Sequence, residues 1–92
     1  MTDYFITGVS SGIGQGLARE LARRGHRIWG VARREKRLAE LARELGADRF
    51  LFSVCDVSRS EDVRATTREM ERAGFLPEVV ILNAGINPEQ WG

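Results

Sequence analysis

The stretch Thr7-Gly8-Val9-Ser10-Ser11-Gly12-Ile13-Gly14 decides the fold. It lies between the apolar run Tyr4-Phe5-Ile6 and a segment in which Ile13, Leu17, Ala18, Leu21 and Ala22 recur at helical spacing, so the glycines mark a strand-to-helix turn. Three glycines allow a sharp turn and a close backbone approach to a ligand. The free N–H groups and the dipole of the helix start attract a pyrophosphate. The plain alternative is a tight turn that binds nothing, and the strand before it and helix after it weigh against that.

Outward from this turn, four strand-like runs alternate with three helix-like runs. Tyr4 to Thr7, Arg27 to Ala32, Phe50 to Val54 and Val79 to Leu82 are short and mostly apolar, as parallel strands covered on both faces should be. Leu38, Leu41, Ala42 and Leu45 form a second helical stripe, and Val63, Thr67 and Met70 a third. Gly25, Gly46 and Gly74 each follow a helical run, where a left-handed residue ends a helix. Ser58 and Glu61 have capping-box spacing ahead of the third helix. Strands alternating with helices through short connections predict a parallel sheet in an α/β fold.

The glycine spacing resembles that of the short-chain dehydrogenase/reductase family. Thr7 to Gly14 is similar to the family's Thr-Gly-x-x-x-Gly-x-Gly motif, and a second motif, Asn-Ala-Gly, stands at Asn83-Ala84-Gly85. The resemblance runs from Asp3 to Gly85 and corresponds to about the first third to half of a typical member. It implies a Rossmann-like βαβαβαβ sheet with strand order 3-2-1-4, which sets the glycine turn at the topological switch point. It also implies binding of NAD(P) and hydride transfer between that cofactor and a carbonyl or alcohol. The family's catalytic pair is a Tyr followed four positions later by a Lys. Here the single Tyr, Tyr4, has Gly8 at that position, and the single Lys is Lys36. The Ser and Asn that complete the family's catalytic set fall further along than residue 92. By resemblance, residues 1–92 form a single partial Rossmann dinucleotide-binding domain with no catalytic residue of its own, expected to be inactive alone.

Several residues bear on the choice of cofactor. An NAD site usually carries Asp or Glu at the end of the second strand to accept from the ribose hydroxyls. That position holds Ala32, followed by Arg33 and Arg34. An Arg there can grip the 2′-phosphate of NADP in a bidentate way, and Ser10 and Ser11 add hydroxyl donors. The combination points to NADP rather than NAD, with Arg33 the principal residue and Arg34 the more exposed. The alternative is that Arg33, Arg34, Lys36 and Arg37 are a solvated helix start, but four cations there oppose the helix dipole, and an anionic ligand would offset that cost. Asp56-Val57 resembles the family's pair beside the adenine ring. There the carboxylate accepts from the adenine amino group and the valine lies against the ring; alternatively Asp56 turns the chain into the third helix. Asn83, Ala84 and Gly85 follow the fourth strand, beside the cofactor, with Asn83 expected chiefly to hold neighbouring strands together through backbone groups. The cofactor-binding set is therefore Thr7, Gly8, Ser10, Ser11, Gly12, Ile13, Gly14, Arg33, Arg34, Asp56, Val57, Asn83, Ala84 and Gly85.

Composition narrows the remaining possibilities. Ninety-two residues suit one small domain, which buries roughly 60–65% of the surface its unfolded chain exposes. A formal charge of +1 argues against nucleic-acid binding as the main role. One cysteine, Cys55, excludes an internal disulfide and a multi-cysteine metal site, and its place beside an apolar strand predicts a buried, inert thiol. His26 falls in a predicted turn and is assigned no chemistry. No apolar run reaches the length of a membrane span and no signal precedes the first strand, so the expected location is cytoplasmic.

Two functions compete on these residues. One is the cofactor-binding portion of an NADP-dependent oxidoreductase; the other is a small nucleotide- or dinucleotide-binding module that performs no chemistry. A third, a methyltransferase with a glycine turn, is disfavoured by Asn83-Ala84-Gly85. Val79-Val80-Ile81-Leu82 has no Lys or Pro to block strand addition, so self-association through the fourth strand is expected. The alternative is that the tail from Asn87 to Gly92 protects that edge.

Overall fold

Every residue of the second strand from Ile28 to Ala32 is buried, which requires cover on both faces of the sheet. The computed structural model, which describes residues 1–9 and 12–83, supplies that cover. Its elements are β1 (Asp3–Thr7), α1 (Gly12–Arg23), β2 (Arg27–Ala32), α2 (Glu35–Leu45), β3 (Phe50–Val54), α3 (Ser60–Arg72) and β4 (Val79–Ile81). The strands form one parallel sheet in the order β3-β2-β1-β4. Thr7 pairs with Val31, Ile6 with Ile81 and Ala32 with Val54, so the carboxyl ends of the strands finish side by side.

Two apolar layers sandwich the sheet. Ile28 and Ala32 of β2 join Ile6, Phe50 and the inner faces of α1 and α2, with Ala18, Leu21, Leu38 and Leu41 at the centre. Trp29 and Val31, one residue out of phase, point to the other face and meet Cys55, Met70 and Phe75. This period-two division explains why an uninterrupted apolar run is needed. The Trp29 Nε1–H, buried in the second layer, donates to the Ser53 hydroxyl at 2.9 Å, and that hydroxyl donates to the Glu69 carboxylate at 3.2 Å. On the surface, Arg19 grips Glu44 through two hydrogen bonds and ties α1 to α2.

The predicted elements hold, with three local corrections. Gly25, Gly46 and Gly74 do adopt positive φ after the helices. On α1, however, Ile13 is 79% exposed, because the first turn packs on the Gly8–Val9 bend through its neighbour Gly14, which leaves Ile13 off the buried side. On α3 the buried pair is Thr66 and Met70, while Val63 and Thr67 are exposed. The helix is rotated so that the i, i+4 row through Thr66, not the one through Val63, meets the sheet. The capping box is also absent: the N-cap of α3 is Arg59, without a side-chain cap, since the Ser58 hydroxyl is engaged by Asp56. Cys55 is buried as expected.

Candidate functional site

The backbone fixes the glycine turn before any side chain acts. Gly8 has φ 66°, a left-handed conformation that glycine adopts without the steric cost of a Cβ. The chain then sends Val9 into the core, with its N–H on the Val31 carbonyl at 3.3 Å. Helix α1 packs its first turn directly on this bend. A Cβ on Gly14 would lie 2.5 Å from the Gly8 carbonyl oxygen and 2.8 Å from the Val9 Cα, so the position admits no side chain. A Cβ on Gly12 would meet nothing within 4 Å. Space is therefore closed at Gly14 and, among the described residues, open at Gly12, and an anion held by the backbone of a helix start needs such room.

Hydrogen bonds between strand ends lock the turn in place. The Thr7 hydroxyl donates to the Asn83 carbonyl at 3.1 Å, and the Asn83 amide donates to the Gly8 carbonyl at 3.2 Å. The two sequence motifs therefore meet in space, and Asn83 makes the backbone contact expected of it. Ser10 and Ser11 on one side and Ala84 and Gly85 on the other lie outside the described residues.

The next two strand ends add charge. Cys55 N–H donates to the Ala32 carbonyl at 2.9 Å, which carries the β2–β3 pairing past Val54 and sets Arg33 and Asp56 on neighbouring strand ends. Arg33 and Arg34 are both exposed, and Glu35 in the first turn of α2 offsets part of their cost to the helix dipole. Asp56 shapes its own turn. Its carboxylate accepts from the Ser58 hydroxyl at 2.6 Å and from the Ser58 N–H at 3.0 Å, an Asx turn. Its own N–H donates to the Asp62 carboxylate at 3.0 Å. The Ser58 hydroxyl, then the Ser58 N–H, holds the Asp56 carboxyl below the ordinary carboxylate range, and Arg33 and Arg59 add to the effect. Val57 beside it is exposed, presenting an apolar surface at the same edge.

The sequence reading missed Ser58, Arg59 and Asp62 as parts of this turn. The spacing Asp56-x-Ser58 is itself an Asx-turn signal, whereas the reach of Asp62 back to Asp56 has no sequence mark. Tyr4 and His26 stack edge to face, with ring centroids 5.3 Å apart, near the amino end of the sheet and so opposite the glycine turn. The His26 Nδ1 accepts from the Thr2 N–H at 3.0 Å. No cluster of three His, Cys, Asp or Glu side chains disposed to hold a metal occurs among the described residues. No helix among them is long and apolar enough to cross a membrane.

A glycine turn, an acidic turn and a basic strand end lie along one carboxyl edge of the sheet. The short chain dehydrogenase family profile matches residues 4–91. The chain belongs to the short chain dehydrogenase family. Among its relatives, an NADPH-dependent pterin aldehyde reductase from Arabidopsis thaliana is 37% identical over 81 residues, covering 87% of this chain and 34% of the reductase. A crystal structure of a short chain dehydrogenase/reductase family oxidoreductase from Aeromonas hydrophila superposes with a TM-score of 0.83 at 30% identity, over 98% of this chain and 44% of that one. The 3-ketoacyl-(acyl-carrier-protein) reductase of Brucella melitensis, crystallised with NADH, gives a TM-score of 0.78 at 29% identity, over 86% and 32%. The chain thus spans between about a fifth and a third of the length of the curated family relatives it matches.

Proposed function

We propose that this short-chain dehydrogenase chain is a single NADP-binding unit of an oxidoreductase that moves hydride between NADP(H) and a carbonyl or alcohol substrate. The observation that carries the reading is the Gly8 to Gly14 turn, closed at Gly14 and open at Gly12, on the same sheet edge as Arg33. Gly12, Ile13 and Gly14 would receive the pyrophosphate at the start of α1, with Ser10 and Ser11 as added donors. Arg33, seconded by Arg34, would hold the 2′-phosphate, and no acid stands at Ala32 to accept from the ribose of NAD. Asp56 and Val57 would meet the adenine, while Asn83, Ala84 and Gly85 border the ribose. The named relatives include both an NADPH-dependent enzyme and an NADH complex, so the preference rests on Arg33 and not on kinship.

Bound NADP(H) would supply the hydride, and these residues would bind and orient it. Among the described residues no tyrosine stands at this edge to donate a proton, since the single one, Tyr4, belongs to the opposite end of the sheet. The isolated chain is therefore expected to bind cofactor without turning over substrate, in the cytoplasm as its expected compartment. A non-catalytic dinucleotide-binding module is the second reading, favoured by the same absence of a Tyr-x-x-x-Lys pair in the sequence.

Calorimetric titration of NADP+ and NAD+ into the native chain and Arg33→Ala tests the reading. A charge-assisted hydrogen bond is worth roughly 1.5–3 kcal/mol, so the variant should lose about tenfold to a hundredfold in NADP+ affinity and little for NAD+. Equal preference in the two proteins would remove Arg33 from the assignment. Substrate-dependent NADPH oxidation by the isolated chain would overturn the expectation of inactivity.

A further inference from the structure

The turn between β3 and α3 engages every polar atom of Asp56 but one. The Asp56 N–H donates to the Asp62 carboxylate at 3.0 Å, and its carbonyl accepts from the Arg59 N–H at 2.9 Å. In the carboxylate, Oδ1 takes both bonds from Ser58, the hydroxyl at 2.6 Å and the N–H at 3.0 Å. Oδ2 takes none among the described residues. Asp62 thus fixes where the residue sits and Ser58 fixes how its carboxylate is turned, while one oxygen of a half-buried side chain stays available to a ligand. The bond from the Ser58 hydroxyl has the length of a charge-assisted one. Together with the Ser58 N–H it holds the carboxyl below the ordinary carboxylate range, so at neutral pH Oδ2 accepts a proton donor and has no proton to give.

We propose that Ser58 is a positioning residue that gives the cofactor site its choice of base: by pinning Asp56 through Oδ1, it holds Oδ2 as an acceptor for the exocyclic amino group of adenine and against a base that carries a carbonyl there. This rests on the reading of the chain as an NADP binder with Asp56 at the adenine. Adenine presents an amino donor at its position 6 and hypoxanthine presents an acceptor oxygen at the same place, so one carboxylate oxygen attracts the first and repels the second. An unpinned side chain would turn away from the carbonyl and tolerate both bases. A pinned one has no such escape, and because it is already ordered, the contact with the amino group costs little further entropy. Ser58 itself touches no cofactor in this arrangement and acts only through Asp56.

The test is calorimetric titration of NADP+, and of its analogue with hypoxanthine in place of adenine, into the native chain and its Ser58→Ala, Ser58→Thr and Asp56→Asn variants, each first shown to unfold cooperatively on heating. The native chain should favour the adenine cofactor about tenfold. Ser58→Ala loses the hydroxyl bond and keeps the N–H bond, so the preference should fall to about two- to threefold. Ser58→Thr, which keeps a hydroxyl, should retain it. General loosening of the turn would weaken both cofactors together and leave their ratio unchanged. In Asp56→Asn the amide oxygen stays on Ser58 and the NH2 group takes the place of Oδ2, so the preference should shift toward the hypoxanthine cofactor. A native chain indifferent to the base, a Ser58→Ala variant with the native ratio, a Ser58→Thr variant that loses the preference as Ser58→Ala does, or an Asp56→Asn variant that keeps it would each overturn the role of Ser58 and leave the NADP assignment intact. A native chain that binds neither cofactor would overturn that assignment and the inference with it.

Discussion

Asn83 and Gly8, 75 residues apart in sequence, are joined by a hydrogen bond from the Asn83 side-chain amide to the Gly8 carbonyl at 3.2 Å. The bond fastens the last described residue to the bend on which the cofactor would rest. Asn83→Ala should therefore cost about 0.5–1.5 kcal/mol in urea unfolding and loosen the turn. Amide exchange at Gly8 and Val9 should accelerate in the variant, and unchanged exchange there would deny Asn83 its role as a brace.

The glycines of α1 differ in what surrounds them, and two substitutions of the same kind should diverge in sign. At Gly14 a Cβ collides with backbone at 2.5 and 2.8 Å, so Gly14→Ala should destabilise by about 1–3 kcal/mol or more. At Gly16, exposed on the same helix, a Cβ meets nothing within 4 Å. Gly16→Ala should stabilise by about 0.5–1 kcal/mol through helix propensity alone. Thermal unfolding of the two variants beside the native chain reads both effects.

The Trp29, Ser53 and Glu69 chain offers a test of the second core layer. Ser53→Ala leaves the buried Trp29 N–H without its acceptor, at a cost of about 1–3 kcal/mol. Adding Trp29→Phe removes the stranded donor. A double-mutant cycle should show that the penalty of Ser53→Ala shrinks in the Trp29→Phe background, and strict additivity would mean that the hydrogen bond contributes little.

The side of β4 away from β1 has no strand beside it among the described residues, and self-association there is expected. Val80 and Leu82 are 56% and 78% exposed, and Leu76 72%. Together with Phe5, Val63 and Met70, Val80 and Leu82 line an apolar groove of about 510 Å³ between α3 and the sheet. Light scattering should show mass increasing with protein concentration, and Val80→Lys should suppress it. Val80 is the residue to charge, because Ile81 points to the opposite face and packs against the first core layer. A native chain that stays monomeric at every concentration would sink the proposal.

Much of this molecule was legible in its sequence because its signals are local. The runs of β2 and β3 give those strands their observed bounds, and Gly25, Gly46 and Gly74 stop the helices where backbone sterics require. What escaped depends on relations between distant elements. The helical pattern of α3 does not say which of two adjacent rows meets the sheet, and Thr66 is polar, so the stripe through Val63 looked equally good. Ser58 and Glu61 matched a capping box, but a stronger acceptor two residues upstream took the serine. The placement of Arg33 and Asp56 on neighbouring strand ends follows from strand pairing, which no single segment encodes.

The strand order sets a schedule for synthesis. β1 gains its first neighbour, β2, after 24 residues but its second, β4, only after about 75, and closing the longer loop costs about 1 kcal/mol more. At roughly 5–20 residues per second a ribosome needs several seconds to bridge that interval. For those seconds one flank of the N-terminal strand is bare and its glycine bend lacks the brace from Asn83. Of the four strands, the one made first is thus the last to be fully paired, and a nascent chain stalled before Val79 would present it, half paired, to whatever is nearby.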